Sequence, residues 1–401
     1  MIAGALRDIV IVGAGQGGFQ AAASLRQEGF TGSVTLIGTE ADLPYQRPPL
    51  SKAFLKSGNA DQLWLRRADF YEKNAITLVP DCRVNRIDRD NSTVYAGDRR
   101  FRYDHLILAT GCRNARPPIQ GLERALDLRT LSDARRLRTA AARARRCAVI
   151  GGGFIGLEFA AVAAGLGLDV IVAEQASRLM ARAVSPEISA RFADKHRGLN
   201  VDIRVGKSAA AIDDAGLHLA DGSTVAADLV LLAAGVVPNA ELAAEAGLIV
   251  ENGIVVDEQL RTSDPNISAL GDCAAFPMHD RGFRVRLESV QAATDHARHI
   301  ARRLTKGDAG PYSAVPWFWS DQADWKLQIA GFAQPDDESE MLEDGSVLRF
   351  SGARLTAVET INAPKLHMKA RRLFAETPAP TRAEALARLD VEERRRMAAG
   401  A

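Results

Sequence analysis

The sequence predicts an α/β protein with two Rossmann-like dinucleotide-binding domains and a small C-terminal α+β domain. At 8–25 an apolar run leads into Gly-x-Gly-x-x-Gly and an alanine-rich helical pattern, and the same order returns at 147–165. Such a strand, turn and helix bind a dinucleotide, and a repeat is a stronger signal than one motif. From 312 onwards aromatic residues and alternating strands replace this pattern. The predicted domains are 1–111 with 241–311, then 112–240, and finally 312–401.

Composition limits the function before any motif is considered. The chain has 401 residues, is 47% hydrophobic and 25% charged, and carries a formal net charge of +1. This balance gives no reason to expect a nucleic-acid partner. The four cysteines form no Cys-x-x-Cys pair, which suits a reducing compartment and removes a dithiol relay. Because no apolar run has membrane-spanning length and few residues precede the first strand, we expect a cytoplasmic protein without a membrane partner.

In the first fingerprint each glycine has an expected task. Gly13 allows the tight turn, Gly15 lets a phosphate approach the backbone, and Gly18 lets the helix pack on the strand. The helix N-terminus then faces a pyrophosphate; the alternative is an ordinary glycine-rich turn. Strand 33–38 is followed by Glu40, the nearest acid for the adenosine ribose, which can equally be a solvated loop residue.

A proline-rich stretch at 43–52 carries two cations, Arg47 and Lys52. Tandem prolines stiffen the backbone, and Ser51 is a candidate N-cap for a helix that starts at Lys52. Both cations would then stand on rigid supports soon after a cofactor-binding turn. The alternative is a surface loop with solvated charges.

The second fingerprint repeats the first and adds a well-placed acid. Gly151, Gly153 and Gly156 occupy the glycine positions, and Glu174 directly follows the strand 169–173. A carboxylate there accepts hydrogen bonds from both ribose hydroxyls and repels a 2′-phosphate. We therefore predict a preference for NADH over NADPH of at least about tenfold, or roughly 1.4 kcal/mol. Two dinucleotides on one chain imply electron transfer between them.

Two later features belong with the first fingerprint. The apolar strand 266–270 delivers Asp272 at its C-terminal end, where open α/β sheets bind ligands. Asp272 is therefore a candidate for the ribityl chain of a flavin, or else a turn aspartate. The stretch 288–304 has helical spacing with Gln291 in its first turn. A helix N-terminus aimed at a flavin pyrimidine would stabilise the negative charge of the reduced ring.

The C-terminal region is marked by its aromatic residues. Trp317, Trp319 and Trp325 lie close together, and core packing is expected for two of the three. Thr381 and Glu384 have capping-box spacing for a last helix.

The chain resembles the FAD-dependent ferredoxin reductases of bacterial monooxygenase and dioxygenase systems, the putidaredoxin reductase type. The resemblance covers nearly the whole chain in order. Its specific stretches are Arg-Pro-Pro-Leu-Ser-Lys at 47–52 and Trp-Ser-Asp-Gln at 319–322, because the fingerprints alone indicate only a two-dinucleotide oxidoreductase. The resemblance implies a glutathione-reductase-like fold with an FAD domain, an NADH domain and a C-terminal domain, in the order given above.

The resemblance also implies roles for single residues. Lys52 would lie near flavin N5, Glu158 between Lys52 and the nicotinamide, and Trp319 close to the isoalloxazine. The implied FAD residues are Gly13, Gly15, Gly18, Glu40, Arg47, Lys52, Arg129, Asp272, Gln291 and Trp319, and the implied NADH residues are Gly151, Gly153, Ile155, Gly156, Glu158 and Glu174. Lys52 would raise the electron affinity of the flavin and Glu158 would hold that lysine; the alternative is an ordinary surface ion pair.

The implied reaction is hydride transfer from NADH to FAD N5, followed by two single-electron transfers to a [2Fe–2S] ferredoxin. That ferredoxin would supply a haem monooxygenase or a Rieske dioxygenase, and the chain itself needs no metal site. Since ferredoxins are generally acidic, a basic docking surface is expected. Its candidates are Arg66, Arg67, Lys365, Lys369, Arg371 and Arg372.

Other flavoproteins share the two fingerprints. A dithiol reductase needs a redox-active cysteine pair, and a peroxidase or NADH oxidase relative would use a flavin-facing cysteine near 49–52, where there is none. A flavin-dependent NADH oxidase or a redox-signalling protein similar to apoptosis-inducing factor remains the alternative. Fast oxygen consumption, or slow turnover with tight NAD retention, would favour it.

Overall fold

The computed structural model describes residues 6–278, 281–307, 309–376 and 380–389. The chain divides into two compact units, which are described separately. The first is drawn from 1–47, 59–113 and 236–314, and the second from 48–58, 114–235 and 315–401. The division into three domains made from the sequence stays a prediction.

The first unit is built on a five-stranded parallel sheet. Its strands are short apolar runs, as expected of strands buried on both faces. In spatial order they are Ile267–Ala269, His105–Leu108, Asp8–Val12, Ser33–Ile37 and Ile76–Val79. Helix Gln16–Gln27 follows the central strand at once and packs on helix Val290–Lys306. The chain leaves the central strand towards one side and returns on the other, so the carboxyl ends there form a ligand-binding edge.

Two small sheets complete the first unit. One has three antiparallel strands, Arg86–Asp88, Thr93–Ala96 and Arg99–Arg102, and the other has four strands, Val250–Glu251, Gly253–Val255, Ala274–Pro277 and Arg284–Val285. Its remaining helical segments are short and are Ala60–Gln62, Ala68–Lys73, Glu241–Glu245 and Gly271–Cys273. The short strands Cys112–Asn114 and Val236–Pro238 stand at the unit boundaries of the chain.

The second unit contains a four-stranded parallel sheet with the order Val201–Val205, Asp169–Glu174, Arg146–Ile150 and Leu229–Leu232. Helix Phe154–Gly165 follows its first strand in the chain, Arg146–Ile150. An antiparallel meander of Ala209–Asp213, Gly216–Leu219 and Thr224–Ala226 packs on this sheet through apolar side chains such as Leu217 and Val230. Two helices, Leu131–Ala141 and Pro186–Gly198, and the 3₁₀ turn Leu122–Arg124 belong to the same unit.

The C-terminal part of the second unit is a five-stranded antiparallel sheet with two helices. Leu348, Phe350 and Val358 of the sheet form a core with Leu373 and Leu389 of the helices. The strands, in spatial order, are Trp317–Gln322, Trp325–Gly331, Arg354–Ile361, Val347–Ser351 and Glu338–Met341, and the helices are Pro364–Glu376 and Arg382–Leu389. The predicted fold class, with Rossmann-like sheets and a small C-terminal α+β region, is therefore confirmed.

Two local predictions concern helix starts. The capping box is confirmed, because Thr381 N donates to Glu384 Oε2 at 2.8 Å and Glu384 N donates to Thr381 Oγ1 at 3.2 Å. The prediction that Ser51 caps a helix beginning at Lys52 is wrong. Residues 48–51 form a 3₁₀ turn and the helix runs from Ala53 to Ser57, with Lys52 itself at the cap position. The turn directs the Ser51 hydroxyl away from the helix, to Glu158.

Among the described residues no helix combines the length and the apolar character needed to cross a membrane.

Candidate functional site

The glycines of the first fingerprint are distinguished by what surrounds them. Gly13 has φ +111°, and a Cβ there would lie 2.1 Å from Ala109 O. A Cβ on Gly18 would lie 1.8 Å from Gly13 O. By contrast, a Cβ on Gly15 would meet nothing within 4 Å. Two glycines therefore allow the turn and the helix to close, while the middle one opens onto free space at a helix N-terminus, which fits a pyrophosphate.

The second fingerprint has the same geometry. Gly151 has φ +109°, a Cβ on Gly156 would lie 2.2 Å from Gly151 O, and a Cβ on Gly153 would meet nothing within 4 Å. Ile155, in the first helical turn, is 44% exposed. The backbone thus fits a second pyrophosphate, with an apolar side chain beside it.

Glu174 is fixed by the backbone around the second fingerprint. Its Oε2 accepts a hydrogen bond from Gly152 N at 2.6 Å and its Oε1 accepts one from Ala176 N at 2.7 Å. Each carboxylate oxygen still has acceptor capacity for a hydroxyl. The nearest cation in the sequence, Arg178, donates instead to the carbonyls of Ala181 and Val184, both at 2.8 Å, and burial lowers the pKa of this guanidinium. The acid is available to a ribose, and Arg178 is engaged by its own loop.

Glu40 in the first unit is held by side chains rather than by backbone. Its Oε1 lies 2.7 Å from Arg47 Nη2, and its Oε2 accepts a hydrogen bond from the Tyr45 hydroxyl at 2.5 Å. The structure thus brings two implied FAD residues, Glu40 and Arg47, into one ion pair. Tyr45 was missed as a site residue, although it stands two residues before Arg47 in the proline-rich stretch.

Asp272 lies at the ligand-binding edge, in the 3₁₀ turn after strand Ile267–Ala269. Its carboxylate Oδ2 accepts a hydrogen bond from Cys112 Sγ at 3.1 Å. The N–H of Gly271 donates to Nδ1 of His296 at 3.2 Å. His296 is 1% exposed, and burial lowers its pKa to about 3. His296 is therefore a neutral acceptor for the backbone of the turn. Its place in an amphipathic helix was the only sequence feature that indicated this residue.

Gln291 lies in the first turn of helix Val290–Lys306, as predicted, and is buried. Ser289 caps this helix by accepting a hydrogen bond from Ala292 N at 3.0 Å. The Gln291 amide donates to Asp295 Oδ2 at 2.5 Å. This contact orients the amide along its own helix.

In the second unit a charged pair is held in a buried polar cluster. Lys52 Nζ lies 2.7 Å from Glu158 Oε2, and the side chain of Glu158 is only 4% exposed. The Ser51 hydroxyl also donates to Oε2, and the Ser320 hydroxyl donates to Oε1 at 2.7 Å. The Lys52 side chain is 21% exposed, so the pair joins a partly exposed ammonium to a buried carboxylate. Ser51 and Ser320 were missed as site residues, although both lie in the two specific sequence stretches.

Trp319 lies on strand Trp317–Gln322, and its ring stacks on that of Trp317 with centroids 5.4 Å apart and planes 29° apart. The guanidinium of Arg371 lies 4.5 Å from the centre of the Trp317 ring. Trp325 meets Phe192 edge-on, with ring centroids 5.3 Å apart.

Arg129 stands just before helix Leu131–Ala141, where its backbone N–H donates to Asp133 Oδ2 at 3.3 Å.

The implied site residues divide between the two units. The first unit holds Gly13, Gly15, Gly18, Glu40, Arg47, Asp272 and Gln291, and the second holds Lys52, Arg129, Gly151, Gly153, Ile155, Gly156, Glu158, Glu174 and Trp319. Their binding roles stay predictions, whereas their contacts are those described above.

Comparison with known proteins identifies the class. Residues 7–297 match the family described as pyridine nucleotide-disulphide oxidoreductase, and residues 317–394 match the reductase C-terminal domain. The chain belongs to the pyridine nucleotide-disulphide oxidoreductase family.

Within this family, the chain is similar to reductases of small electron-transfer proteins. The chain is 47% identical to rhodocoxin reductase of Rhodococcus erythropolis over 381 residues, which covers 92% of this chain and 89% of the relative. It is 39% identical to putidaredoxin reductase of Pseudomonas putida over 378 residues, 89% of either chain.

Solved structures agree. The ferredoxin reductase for the CYP199A2 system of Rhodopseudomonas palustris has a TM-score of 0.92 at 42% identity, with 96% of this chain and 98% of that chain covered. Putidaredoxin reductase in covalent complex with putidaredoxin has a TM-score of 0.89 at 37% identity, with 93% and 94% covered. The resemblance to ferredoxin reductases of the putidaredoxin reductase type is confirmed. The chain is accordingly an NADH-dependent oxidoreductase that uses FAD and NAD(H).

Proposed function

We propose that this chain takes a hydride from NADH and passes the two electrons singly to an acidic [2Fe–2S] ferredoxin that supplies an oxygenase, either a haem monooxygenase or a Rieske dioxygenase. When bound, FAD supplies the reaction chemistry, because it accepts a hydride and releases electrons one at a time. The observation that carries the proposal is the ion pair of Lys52 with the buried carboxylate of Glu158, a fixed charge without any cysteine nucleophile beside it among the described residues.

The first unit supplies the residues that would hold FAD. The backbone at Gly15 would bind the pyrophosphate, and Asp272 would accept hydrogen bonds from the ribityl chain. Glu40 and Arg47 are paired with each other, so in binding the nucleotide arm they would act together. Gln291 and the N-terminus of its helix would stabilise negative charge on the reduced ring.

Lys52 and Glu158 act as an electrostatic unit. An ammonium has three N–H donors, so Lys52 keeps donors for a second acceptor while one is given to Glu158. Three donors, from Ser51, Lys52 and Ser320, hold the carboxylate in place. A charge fixed before the reaction stabilises developing charge better than a mobile one, since nothing must reorganise. Lys52 would therefore favour flavin reduction, and Glu158 would keep it in position.

The second unit supplies the NADH site and its selectivity. Glu174 would accept hydrogen bonds from the adenosine ribose, and its negative charge would repel the 2′-phosphate of NADPH. Since Arg178 is bound to two carbonyls of its own loop, it does not offset that repulsion. NADH is therefore the proposed reductant, and comparable efficiencies with NADPH would contradict this.

The proposed docking surface for the ferredoxin is one face of helix Pro364–Glu376. Lys365, Met368, Lys369 and Arg372 follow the spacing of a single helix face, and Met368 is 49% exposed. An exposed apolar side chain among cations suits an acidic partner that also buries apolar surface. Support also comes from the relative solved in covalent complex with putidaredoxin. Arg66 and Arg67 in the first unit are exposed and remain further candidates.

Charge reversal tests this surface. The double variant Lys365→Glu/Arg372→Glu should slow ferredoxin reduction several-fold, and the wild-type rate should fall as ionic strength rises. Arg100→Glu/Arg102→Glu, at two exposed strand residues of the first unit, makes the same change in net charge and is the control. A wild-type rate that is flat in salt, or an equal effect of the control, would contradict the docking surface.

The proposed location is the cytoplasm. The four cysteines are buried thiols in the structure, which suits a reducing compartment.

The experiment that tests the function is NADH-driven reduction by FAD-loaded protein with three acceptors: a [2Fe–2S] ferredoxin, ferricyanide and oxygen. Fast reduction of ferredoxin and ferricyanide with little peroxide is expected. Fast oxygen consumption would support a flavin-dependent NADH oxidase instead. Hydride transfer without further turnover would support a redox-signalling protein similar to apoptosis-inducing factor.

A further inference from the structure

The hydrogen bonds at Glu158 continue beyond its immediate neighbours. Ser320, which donates to Glu158, in turn accepts a hydrogen bond from Gln322 Nε2 at 3.2 Å. Gln322 Oε1 lies 2.8 Å from His196 Nε2. Ser320, Gln322 and His196 are each 0% exposed. A buried row of polar side chains therefore runs from His196 to the carboxylate of Glu158.

The direction of every bond in this row is determined by its chemistry. Gln322 Nε2 faces two acceptors, Ser320 Oγ and, at 3.8 Å, Met180 Sδ. Its Oε1 therefore faces His196, and because a carbonyl oxygen only accepts, His196 must carry its proton on Nε2. Burial lowers the pKa of His196, so the ring is neutral. The single hydroxyl proton of Ser320 is then left for Glu158, and all donors point towards the carboxylate.

The strand that carries Ser320 and Gln322 has two different faces. Side chains alternate along a strand, so Ser320 and Gln322 share one face with Phe318, while Trp317 and Trp319 lie on the other. The Phe318 ring packs on Phe154 at 4.5 Å, which ties the strand to the helix that contains Glu158. One strand therefore presents its tryptophans on one side and reaches Glu158 on the other.

We propose that Ser320, Gln322 and His196 are positioning residues that hold Glu158, and through it Lys52, in the geometry used for hydride transfer. This rests on the proposed function, in which Lys52 and Glu158 assist that step. Without the Ser320 hydroxyl, Glu158 Oε1 would be a buried acceptor without its donor. The carboxylate would then rotate towards its remaining donors and Lys52 would move with it. The C-terminal strand is thus part of the hydride-transfer site.

The decisive variant is Ser320→Ala in the FAD-loaded protein. Flavin reduction by NADH, followed anaerobically by stopped-flow absorbance, should slow about tenfold, while the KM for NADH changes less than twofold. The FAD midpoint potential should become more negative, because the lysine charge is no longer held in place. Amine-reactive labelling of Lys52, read by mass spectrometry, should become faster.

Two companion variants separate positioning from stability. Ser320→Thr keeps the hydroxyl and should restore the rate to within about twofold of the wild type. Ser346→Ala removes another buried hydroxyl of the same unit, which is bound to Asp344 at 2.9 Å, and should leave rate, potential and labelling unchanged. Wild-type values for Ser320→Ala, or an equal loss in Ser346→Ala, would overturn the proposal.

The outer members of the row should have graded effects. Gln322→Met removes the amide at similar volume and should reproduce Ser320→Ala in part, and His196→Phe should have a smaller effect. An effect of His196→Phe larger than that of Ser320→Ala would overturn the proposed order. Ferredoxin reduction by the wild type is measured separately, and a wild type that does not reduce ferredoxin would refute the proposed function. The rate of flavin reduction and the FAD potential of Ser320→Ala test only the positioning role of Ser320.

Discussion

The two glycine fingerprints have nearly the same backbone but different surroundings. Gly13 and Gly151 have φ of +111° and +109°, and the middle glycines, Gly15 and Gly153, both open onto free space. At the fifth position of the motif they diverge. A Cβ on Gly17 would lie 2.4 Å from Leu270 Cδ1, whereas the equivalent Ile155 is 44% exposed. The first motif is covered by its own unit, and the second is left open at this point.

The acidic residues that follow the two fingerprints, Glu40 and Glu174, also differ in what surrounds them. Glu174 is held by two backbone N–H groups, that of Gly152 in the fingerprint turn and that of Ala176 two residues further on, while Glu40 is held by the side chains of Arg47 and Tyr45. A covered site whose acid is held by side chains suits a cofactor that stays bound. An open site with a rigid acid suits one that must exchange in each turnover. The difference teaches that the motif encodes a turn, while its surroundings decide how the bound nucleotide is used.

The comparison is tested most strongly by substituting a glycine in each fingerprint turn separately. Gly18→Ala should yield protein without FAD, because the new Cβ would lie 1.8 Å from Gly13 O. Gly156→Ala, with its Cβ 2.2 Å from Gly151 O, should keep FAD but raise the KM for NADH at least about a hundredfold, or roughly 3 kcal/mol. Flavin absorbance per chain and NADH titration check this. Gly165→Ala, where nothing lies within 4 Å, is the control, and loss of the same cofactor in both variants would contradict the comparison.

The charged pair should have the next largest effect. Lys52→Met and Glu158→Gln should each slow flavin reduction by about a hundredfold while FAD stays bound, the size typical of losing one preorganised electrostatic group. Stopped-flow reduction by NADH measures it. Lys73→Met removes a lysine from an exposed pair, 73% and 58% exposed, and should leave the rate unchanged. Equal rates in the Lys52 and Lys73 variants would show that the Lys52–Glu158 pair has no catalytic use.

The buried His296 predicts that the stability of the fold decreases at acidic pH. The pKa of His296 is about 3 in the fold and about 6.5 in the unfolded chain. Between these values the unfolded chain binds the extra proton, so the stability contributed by neutral His296 is lost as the pH falls. From pH 7 to pH 5 the loss should be roughly 2 kcal/mol. Chemical unfolding at pH 7 and at pH 5 should show a smaller loss of stability in His296→Leu than in the wild type. An equal pH dependence in wild type and His296→Leu would contradict this account.

The smallest effect should come from the two acids. Glu174→Gln should lower the ratio of NADH to NADPH efficiency by about tenfold, because the repulsion of the 2′-phosphate is removed. Glu40→Gln should leave that ratio unchanged and weaken FAD retention instead. Steady-state kinetics with both nucleotides and a flavin-release assay distinguish them. A changed nucleotide ratio in the Glu40 variant would show that the acids do not serve separate sites.

Much of the fold could be predicted because its signals are local. The strand, turn and helix of each fingerprint lie within about twenty residues, and the capping box at Thr381 spans four. The residues of the specific stretches were also predicted to matter. The pairing of Lys52 with Glu158 was implied by the resemblance, but the serine donors to Glu158 were not predicted, because a contact such as that of Ser51 with Glu158 joins residues more than 100 positions apart.

The failed prediction has the same physical origin. Ser51 has the composition expected of a helix cap, but the helix begins at Ala53 with Lys52 at the cap position, and the Ser51 hydroxyl donates to the buried carboxylate of Glu158. His196 and His296 gave no sequence signal, since a buried histidine in an amphipathic helix looks like any other core position. Only the structure shows that His196 lies 2.8 Å from Gln322 Oε1 and that His296 accepts a hydrogen bond from the backbone N–H of Gly271.

The measurement that tests the central claim most directly is an anaerobic single turnover. FAD-loaded protein is mixed with one equivalent of NADH and then with excess oxidised [2Fe–2S] ferredoxin, and the reduced ferredoxin is counted by its absorbance. The predicted result is that two ferredoxins are reduced per NADH. When oxygen is admitted in a parallel experiment, peroxide should be released more slowly than ferredoxin is reduced. A flavin that is reduced by NADH but transfers no electrons to ferredoxin would contradict the claim.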